Sequence, residues 1–209
     1  SLASKKDMEA LFEVLSSVKD QNNNSAILTA NVVMGNPNFE KIKKNNFQKY
    51  YWEKFSCTMR KYPHCDGVEN TWKKGQQEKL IHFQCHGREH LNVGQWLRDL
   101  QKNDKLLKKA FDLKMLSISS EPSKLRFSYM EGLDYFSSTE KLEKKIILEE
   151  ALSEFHNYFG FKSESYIANC YIWDDFIEKI LAENGVRLIQ GISNQIIPVL
   201  QKNGKHLHK

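Results

Sequence analysis

Strand-like and helix-like segments alternate along this chain, and this alternation limits the folds open to it. Residues 26–34 and 186–191 are short apolar runs with β-branched residues, a pattern typical of buried strands. Longer stretches with apolar residues at helical spacing separate such runs. Alternating strands and helices predict βαβ units, and therefore an α/β fold in which helices cover a parallel sheet or barrel. Functional groups in such folds gather at the carboxyl ends of the strands.

The length of 209 residues is enough for one substantial core and short for two, so we expect a single α/β domain over residues 1–209. The chain opens on Ser1 without an initiator methionine and ends abruptly, so we expect it to be truncated at both ends. Its four cysteines lack CxxC spacing and are expected to be free thiols, which favours a cytoplasmic location. No apolar run approaches the roughly 20 residues of a membrane span, and no signal peptide opens the chain.

Three predicted helices have a start signal in which a capping side chain is followed three residues later by an acidic one. Ser4 predicts a helix over 4–20, Asp66 predicts one that runs to about residue 78, and Ser137 predicts a long one that ends at Gly160. The apolar positions of this long helix are Leu142, Ile146, Leu148, Leu152, Phe155 and Phe159. Residues 79–85 and 165–172 are expected to be strands.

Two histidines, His86 and His90, follow the predicted strand 79–85. Residues four apart share one face of a helix, so both imidazoles can bind one cation if the backbone turns helically after the strand. Neutral imidazole binds zinc, and also nickel, cobalt or iron. The pair therefore predicts half of a divalent metal site, with zinc as the expected ion and a third ligand still to be found. The alternative is a structural pair, in which one histidine caps a helix and the other packs against Trp96.

The same residues, His86-Gly-Arg-Glu-His90, also match the inverzincin metalloprotease pattern, in which two histidines bind zinc and the glutamate is the general base. That motif belongs inside a continuous helix. Here a β-like run leads into His86, and Gly87 follows it. This context disfavours a protease but leaves Glu89 as a candidate catalytic base.

Amide, aromatic and acidic side chains at the predicted strand ends suit a carbohydrate, which is bound by stacking on its apolar face and by hydrogen bonds to its hydroxyls. The strand ends lie at residues 29–31, 86–90, 169–174 and 190–194. The candidate substrate-binding residues are Asn31, Arg88, Asn169, Tyr171, Trp173 and Asp174. Asp174 is also a second candidate catalytic residue. The alternative places Trp173 in the core and makes Asp174 a helix N-cap.

The later part of the chain resembles the later half of the polysaccharide deacetylase family. The residues that carry this resemblance are Phe159-Gly-Phe161, Tyr166-Ile-Ala-Asn-Cys-Tyr171, Trp173-Asp174 and "IEKILAENGVRLIQ". His86-Gly-Arg-Glu-His90 resembles the histidine box of that family, His-(Ser/Thr)-x-x-His. The phrases "TANVVMGNP" and "FQCHGREHLNV" resemble an uncharacterised bacterial branch of the superfamily, and the resemblance covers roughly residues 25–195.

The resemblance implies an incomplete (β/α) barrel and metal-dependent hydrolysis of an N- or O-acetyl group on a sugar. In the family, the histidine box supplies two ligands to a divalent metal, a role that the resemblance carries over to His86 and His90. A metal-bound water attacks the acetyl carbonyl and an aspartate acts as the base. The Asp-Asp motif that supplies this base and the third ligand belongs on the first strand of the family, whereas this chain begins with a predicted helix. The motif therefore either lies upstream of Ser1 or is missing.

Several positions depart from the pattern of the family. Gly87 stands where the family has Ser or Thr, and Ile167 and Asn169 stand where it has Arg and Pro. The late histidine that acts as an acid has no match, because His206 and His208 lie in a polar tail. These departures leave open a non-catalytic relative that keeps the barrel and binds a saccharide through Trp173 and its neighbours.

The formal net charge of +5 does not predict a nucleic-acid partner, because the lysines are spread along the chain and mixed with glutamates. The densest basic cluster is "KIKKNN" over residues 41–46, and in a nucleic-acid binder the neighbouring Phe47 would stack on a base. A short basic run of this kind is typical of a solvated helix face. The partner expected from the strand-end residues and the resemblance is a carbohydrate substrate, and neither a nucleic acid nor a membrane is expected.

Overall fold

The structure, a computed structural model, describes residues 3–117, 129–193, 195–200 and 206–208. The strands are β1 (Leu28–Val32), β2 (Gly35–Pro37), β3 (Trp52–Lys54), β4 (Ile81–Cys85), β5 (Ser165–Ile167), β6 (Leu188–Gln190), β7 (Pro198–Leu200) and β8 (His206–His208). The helices are α1 (Lys5–Ser17), α2 (Phe39–Lys44), α3 (Phe55–Met59), α4 (Val68–Gln77), α5 (Val93–Gln101), α6 (Lys105–Asp112), α7 (Ser138–Phe159) and α8 (Asp175–Glu183). Short 3-10 turns cover Pro63–Cys65 and Asn169–Tyr171.

This α/β fold has a four-stranded sheet with the order β1-β4-β5-β6. Strand β5 runs parallel to both of its neighbours, with Tyr166 opposite Cys85 on one side and Ile189 on the other. Strands β2 and β3 form a separate pair, and β7 and β8 form an antiparallel one. The predicted α/β fold with a parallel sheet is thereby confirmed.

The contacts of the chain group into two compact units, residues 1–32 with 54–84 and residues 33–53 with 85–209. In the first unit, α1 begins with the predicted capping box, because the Ser4 side chain accepts from the Asp7 backbone and Asp7 accepts in return. The predicted box at Asp66 is wrong. Helix α4 instead begins after Gly67, whose φ of 77° is left-handed, and no side chain caps it.

Strand β1 is shorter and more exposed than the apolar run 26–34 predicts. Leu28, Thr29 and Asn31 are exposed. The physical reason is the position of β1 at one edge of the sheet, where it has a strand neighbour on one side. The expectation of a strand here is confirmed, whereas the expectation that it is buried is wrong.

The second unit has an aromatic core beneath α2, α5 and α6. The Phe111 ring lies 5.0 Å from Phe39 and 5.6 Å from Trp96, measured between centroids. The buried members of this cluster are Ile42, Leu91, Trp96, Leu100, Leu107, Phe111 and Tyr129. This core holds the segment that follows β4 against the helices α5 and α6.

Helix α7 begins and ends as predicted, with Ser137 as its N-cap and Gly160 in the left-handed conformation at its C-terminal end. Its buried side is unusual in that it contains charged residues, Glu140, Lys144 and Glu154. Two of its predicted apolar positions are instead solvent-facing, Leu142 at 63% and Ile146 at 57% exposure. In the part of the chain that the structure describes, none of the helices has the length and apolar character needed to cross a bilayer.

Candidate functional site

The two histidines lie close together just after strand β4. Their ring centroids are 4.9 Å apart, and the ring planes meet at 67°. The backbone does not turn helically between them, since Gly87 has a φ of 101° and α5 begins only at Val93. The predicted proximity is therefore confirmed, but the helical route to it is wrong. Residues that carry a Cβ atom rarely adopt a φ of this sign, so position 87 favours glycine.

A backbone carbonyl of the neighbouring strand fixes the orientation of the His86 ring. Its Nδ1 lies 2.7 Å from the oxygen of Ile167 at the end of β5. Because a carbonyl oxygen only accepts hydrogen bonds, Nδ1 carries the hydrogen and is the donor. The Nε2 atom then holds the lone pair. Metal-binding histidines commonly have this arrangement, in which the other ring nitrogen donates to a backbone carbonyl. Burial lowers the pKa of His86, which favours the neutral imidazole that a metal requires.

Asn169 is the second residue that positions His86. Its Nδ2 donates to the His86 backbone oxygen at 3.1 Å and lies 3.4 Å from Nε2 of the ring. The predicted strand 165–172 is shortened to Ser165–Ile167, and the 3-10 turn after it brings Asn169 to this place. Within that turn, Cys170 and Tyr171 have φ values of 54° and 58°.

The His90 side chain has an unmatched polar atom. Its Nδ1 is buried and has no hydrogen-bond partner among the residues that the structure describes. Burial lowers the pKa of His90, an effect opposed by the Met130 backbone and the charge of Glu131. A buried polar atom without a partner costs roughly 1–3 kcal/mol, which a bound ion or water at this position would reduce.

The two imidazoles fit part of a metal site. Burial lowers the pKa of both rings, which favours the neutral form that binds a metal, and the ring of His86 is held in place. Over the ranges 3–117, 129–193, 195–200 and 206–208, no group of three or more His, Cys, Asp or Glu side chains is arranged to hold a metal ion. The described residues thus offer two candidate ligands, whereas a catalytic zinc site has three from the protein.

Arg88 and Glu89 form a buried ion pair beneath the turn that carries the histidines. Nε and Nη2 of Arg88 donate to the two Glu89 oxygens at 2.6 and 2.5 Å, and Nη1 donates to Glu150 at 2.5 Å. The guanidinium carbon also lies 5.6 Å from the ring centroid of Tyr50 and 5.3 Å from that of Trp52. Both members of the pair therefore have partners, and burial raises the pKa of Glu89.

Backbone hydrogen bonds hold the same turn from the other side. The amide of Met34 donates to the oxygen of Gly87 at 3.0 Å, and the amide of Gly35 donates to the oxygen of Arg88 at 2.5 Å. Side-chain and backbone contacts together give the segment 86–90 a fixed shape. A metal or substrate site needs side chains that the surrounding structure holds in fixed positions.

The remaining predicted site residues have other partners. Trp173 is 6% exposed and its Nε1 donates to Glu178 at 2.9 Å. Asp174 is the N-cap of α8 and accepts from Lys141 at 2.6 Å. The alternative of a core tryptophan and a capping aspartate is thus confirmed for both residues.

Two further predicted site residues, Tyr171 and Asn31, belong to different units. Tyr171 is half-buried in the 3-10 turn of the second unit. Asn31 belongs to the first unit, where its oxygen accepts from Gln84 at 2.9 Å. The predicted strand end at 190–194 includes Asn194, which lies outside the described residues.

Sequence reasoning missed three polar groups in the second unit. Lys144 of α7 is fully buried and donates to the Gly132 oxygen at 3.0 Å. The Tyr166 hydroxyl is buried without a partner among the described residues, close to Gly87. His208, expected in a polar tail, lies in β8 with its Nε2 3.0 Å from Asp134. The burial of Lys144 could have been predicted from the sequence, because Lys144 lies four residues before Leu148 and therefore on the same face of the helix.

Comparisons with protein-family models, with curated proteins and with solved structures found no match to this chain. The resemblance to polysaccharide deacetylases therefore remains an expectation that depends on a few motifs. What the chain does has to be argued from the histidine pair and the residues that position it.

Proposed function

We propose that this chain belongs to a metal-dependent hydrolase that removes acetyl groups from a carbohydrate, of the polysaccharide deacetylase type. The observation that carries the proposal is the histidine pair at the end of β4, with Nδ1 of His86 donating to the Ile167 oxygen at 2.7 Å. The parallel sheet supports it, because such folds have their active sites at this end of the strands. We further propose that the sheet is part of an incomplete (β/α) barrel.

His86 and His90 would hold the divalent ion, for which zinc is the proposed identity. When bound, such an ion lowers the pKa of its water and polarises the acetyl carbonyl. The Ile167 oxygen and Asn169 keep the His86 ring in the tautomer that leaves Nε2 unprotonated. The buried Arg88–Glu89 pair holds the turn between the two ligands in place. The catalytic base and a third ligand are not assigned to any described residue.

Metal binding is the direct test, because it does not depend on an assigned base. We expect the protein to bind zinc and His86→Ala to weaken that binding at least about 100-fold, since removing a ligand costs more than removing its outer partner. His156→Ala is the matched control, because it removes an exposed imidazole from α7. Zinc content after dialysis and titration calorimetry measure both. Equal zinc affinity in all three proteins would refute the site.

Acetate release from acetylated oligosaccharides tests the activity. A protein that binds zinc at His86 and releases acetate supports the whole proposal. Release that is equally fast for His86→Ala and His156→Ala would contradict the proposed role of the metal.

A second candidate function is a non-catalytic relative that binds a saccharide. One observation favours it: the carboxylates of both candidate catalytic residues are engaged, Glu89 with Arg88 and Asp174 with Lys141. Saccharide binding without acetate release would select this candidate. The inverzincin-like protease is the weakest alternative, because the segment from His86 to His90 is not helical, and a casein-cleavage assay tests it.

A further inference from the structure

The positive charge of this chain is concentrated in two segments that are distant in sequence. Residues 39–49 and 99–114 together contain nine lysines and four acidic residues, an excess of five positive charges. The whole chain has a formal net charge of +5. Basic and acidic residues are therefore balanced in the rest of the chain, at 22 each.

The fold joins these two segments into one surface of the second unit, called here the lysine surface. Lys43 of α2 forms an ion pair with Asp112 of α6 at 2.6 Å. The Lys108 ammonium lies 3.9 Å from the centroid of the Phe47 ring, and Gln101 donates to the Phe47 oxygen at 2.8 Å. The spread of lysines along the sequence thus becomes a single basic region in space.

Most of the charge on this surface faces solvent. Its exposed lysines are Lys41, Lys43, Lys44, Lys49, Lys102, Lys105, Lys109 and Lys114. Among the described residues, two of these form ion pairs, Lys43 with Asp112 and Lys102 with Asp99. A surface with such an excess of one charge attracts a polyanion and raises its rate of association.

The other side chains of the lysine surface indicate which polyanion fits. The Phe47 ring makes a T-shaped contact with Phe111, and the Lys108 ammonium lies over the ring, in a position that a stacked base would need. Exposed amides lie among the lysines, at Asn45, Asn46 and Asn103. Amides form hydrogen bonds with hydroxyl groups, and lysine binds carboxylates as a point charge.

We propose that the lysine surface binds an anionic polysaccharide, whose carboxylates pair with the lysines and whose hydroxyls bond to the amides. The choice of a carbohydrate over other polyanions rests on the proposed function. The surface would hold the polymer chain on the second unit, as a docking site separate from the histidine pair. Binding there requires neither a metal nor an acetyl group.

The test measures binding of a fluorescent polygalacturonate oligomer, which carries carboxylates and no acetyl groups. The variant Lys41→Gln/Lys44→Gln/Lys105→Gln/Lys109→Gln removes four charges from the lysine surface. Its control, Lys6→Gln/Lys73→Gln/Lys145→Gln/Lys179→Gln, removes four exposed lysines elsewhere. At about 50 mM salt we expect the first variant to lose at least about tenfold in affinity, and the control to lose much less. Thermal melting checks that both variants are folded.

Several results would overturn the proposal. Equal losses for the two variants would show a general charge effect. Tighter binding of a DNA duplex or of phosphatidylglycerol vesicles than of polygalacturonate would assign the surface to another class of partner. His86→Ala separates this proposal from the proposed function, because it should bind polygalacturonate like the wild type even if it no longer binds zinc.

Discussion

Lys144 is a positive charge inside the second unit, and its removal should stabilise the protein. The side chain is 2% exposed and donates a hydrogen bond to the Gly132 oxygen at 3.0 Å. Burial lowers its pKa from the ordinary 10.5 to about 8, although Asp134 and Glu89 act in the opposite direction. The substitution Lys144→Met keeps the length of the side chain and removes the charge.

The pKa shift gives the size of the effect. At about 1.4 kcal/mol per pKa unit, a fall from 10.5 to about 8 means that the charged form costs the folded state about 3 kcal/mol below pH 8. Leaving the Gly132 oxygen without its donor offsets about 1 kcal/mol of this gain. We therefore expect Lys144→Met to raise the free energy of unfolding by about 2 kcal/mol at neutral pH.

The sign of the pH dependence follows from the same shift. Between pH 8 and 10.5 the unfolded chain keeps the Lys144 proton and the folded protein releases it, so the stability of the wild type rises with pH in this window. Lys144→Met lacks this contribution. Its advantage at neutral pH should shrink above pH 8 and become a deficit of about 1 kcal/mol near pH 10.5.

Urea denaturation at several pH values measures both effects, with tryptophan fluorescence as the probe. Lys145→Met is the matched control, because its side chain is 47% exposed one residue further along α7. Groups that titrate in all three proteins cancel in the differences. A stability difference between Lys144→Met and the wild type that stays constant from pH 7 to 10.5 would refute the argument.

Three further predictions concern packing, capping and reactivity. Gly75→Ala should destabilise the protein by about 1–2 kcal/mol, because the added methyl overlaps the Phe12 ring, and unchanged urea denaturation would contradict this. Ser137→Ala should cost about 1 kcal/mol by removing the N-cap of α7, measured by thermal denaturation. A thiol reagent should modify Cys57 before Cys85, whose pKa burial raises to about 12, and equal rates would contradict the burial.

Local signals predicted much of this fold, because their physical basis lies within a few residues. Ser4 and Ser137 accept hydrogen bonds from amides three residues along the chain, and Gly160 adopts the left-handed conformation that ends a helix. Such contacts need no information about the rest of the chain. Asp66 fails as a cap because the left-handed Gly67 takes the N-cap position.

The remaining features depend on segments that are distant in sequence. Glu140 can be buried because Arg98 of α5 pairs with it, and Lys144 can be buried because the Gly132 oxygen accepts a hydrogen bond from its ammonium. The proximity of His86 to His90 was predicted, whereas the carbonyl of β5 that orients His86 was not. The lysine surface was missed for the same reason, since each of its two segments alone has the pattern of a solvated helix.

The buried side of α7 contains charged residues beside apolar ones, and this mixture has a consequence for which substitutions the protein tolerates. In most helices the leucines and isoleucines are the positions at which mutation does most harm. Here Leu142 and Ile146 face solvent, while Glu140 is buried and pairs with Arg98. A library of random substitutions along α7 should therefore be depleted at a charged position and populated freely at two aliphatic ones.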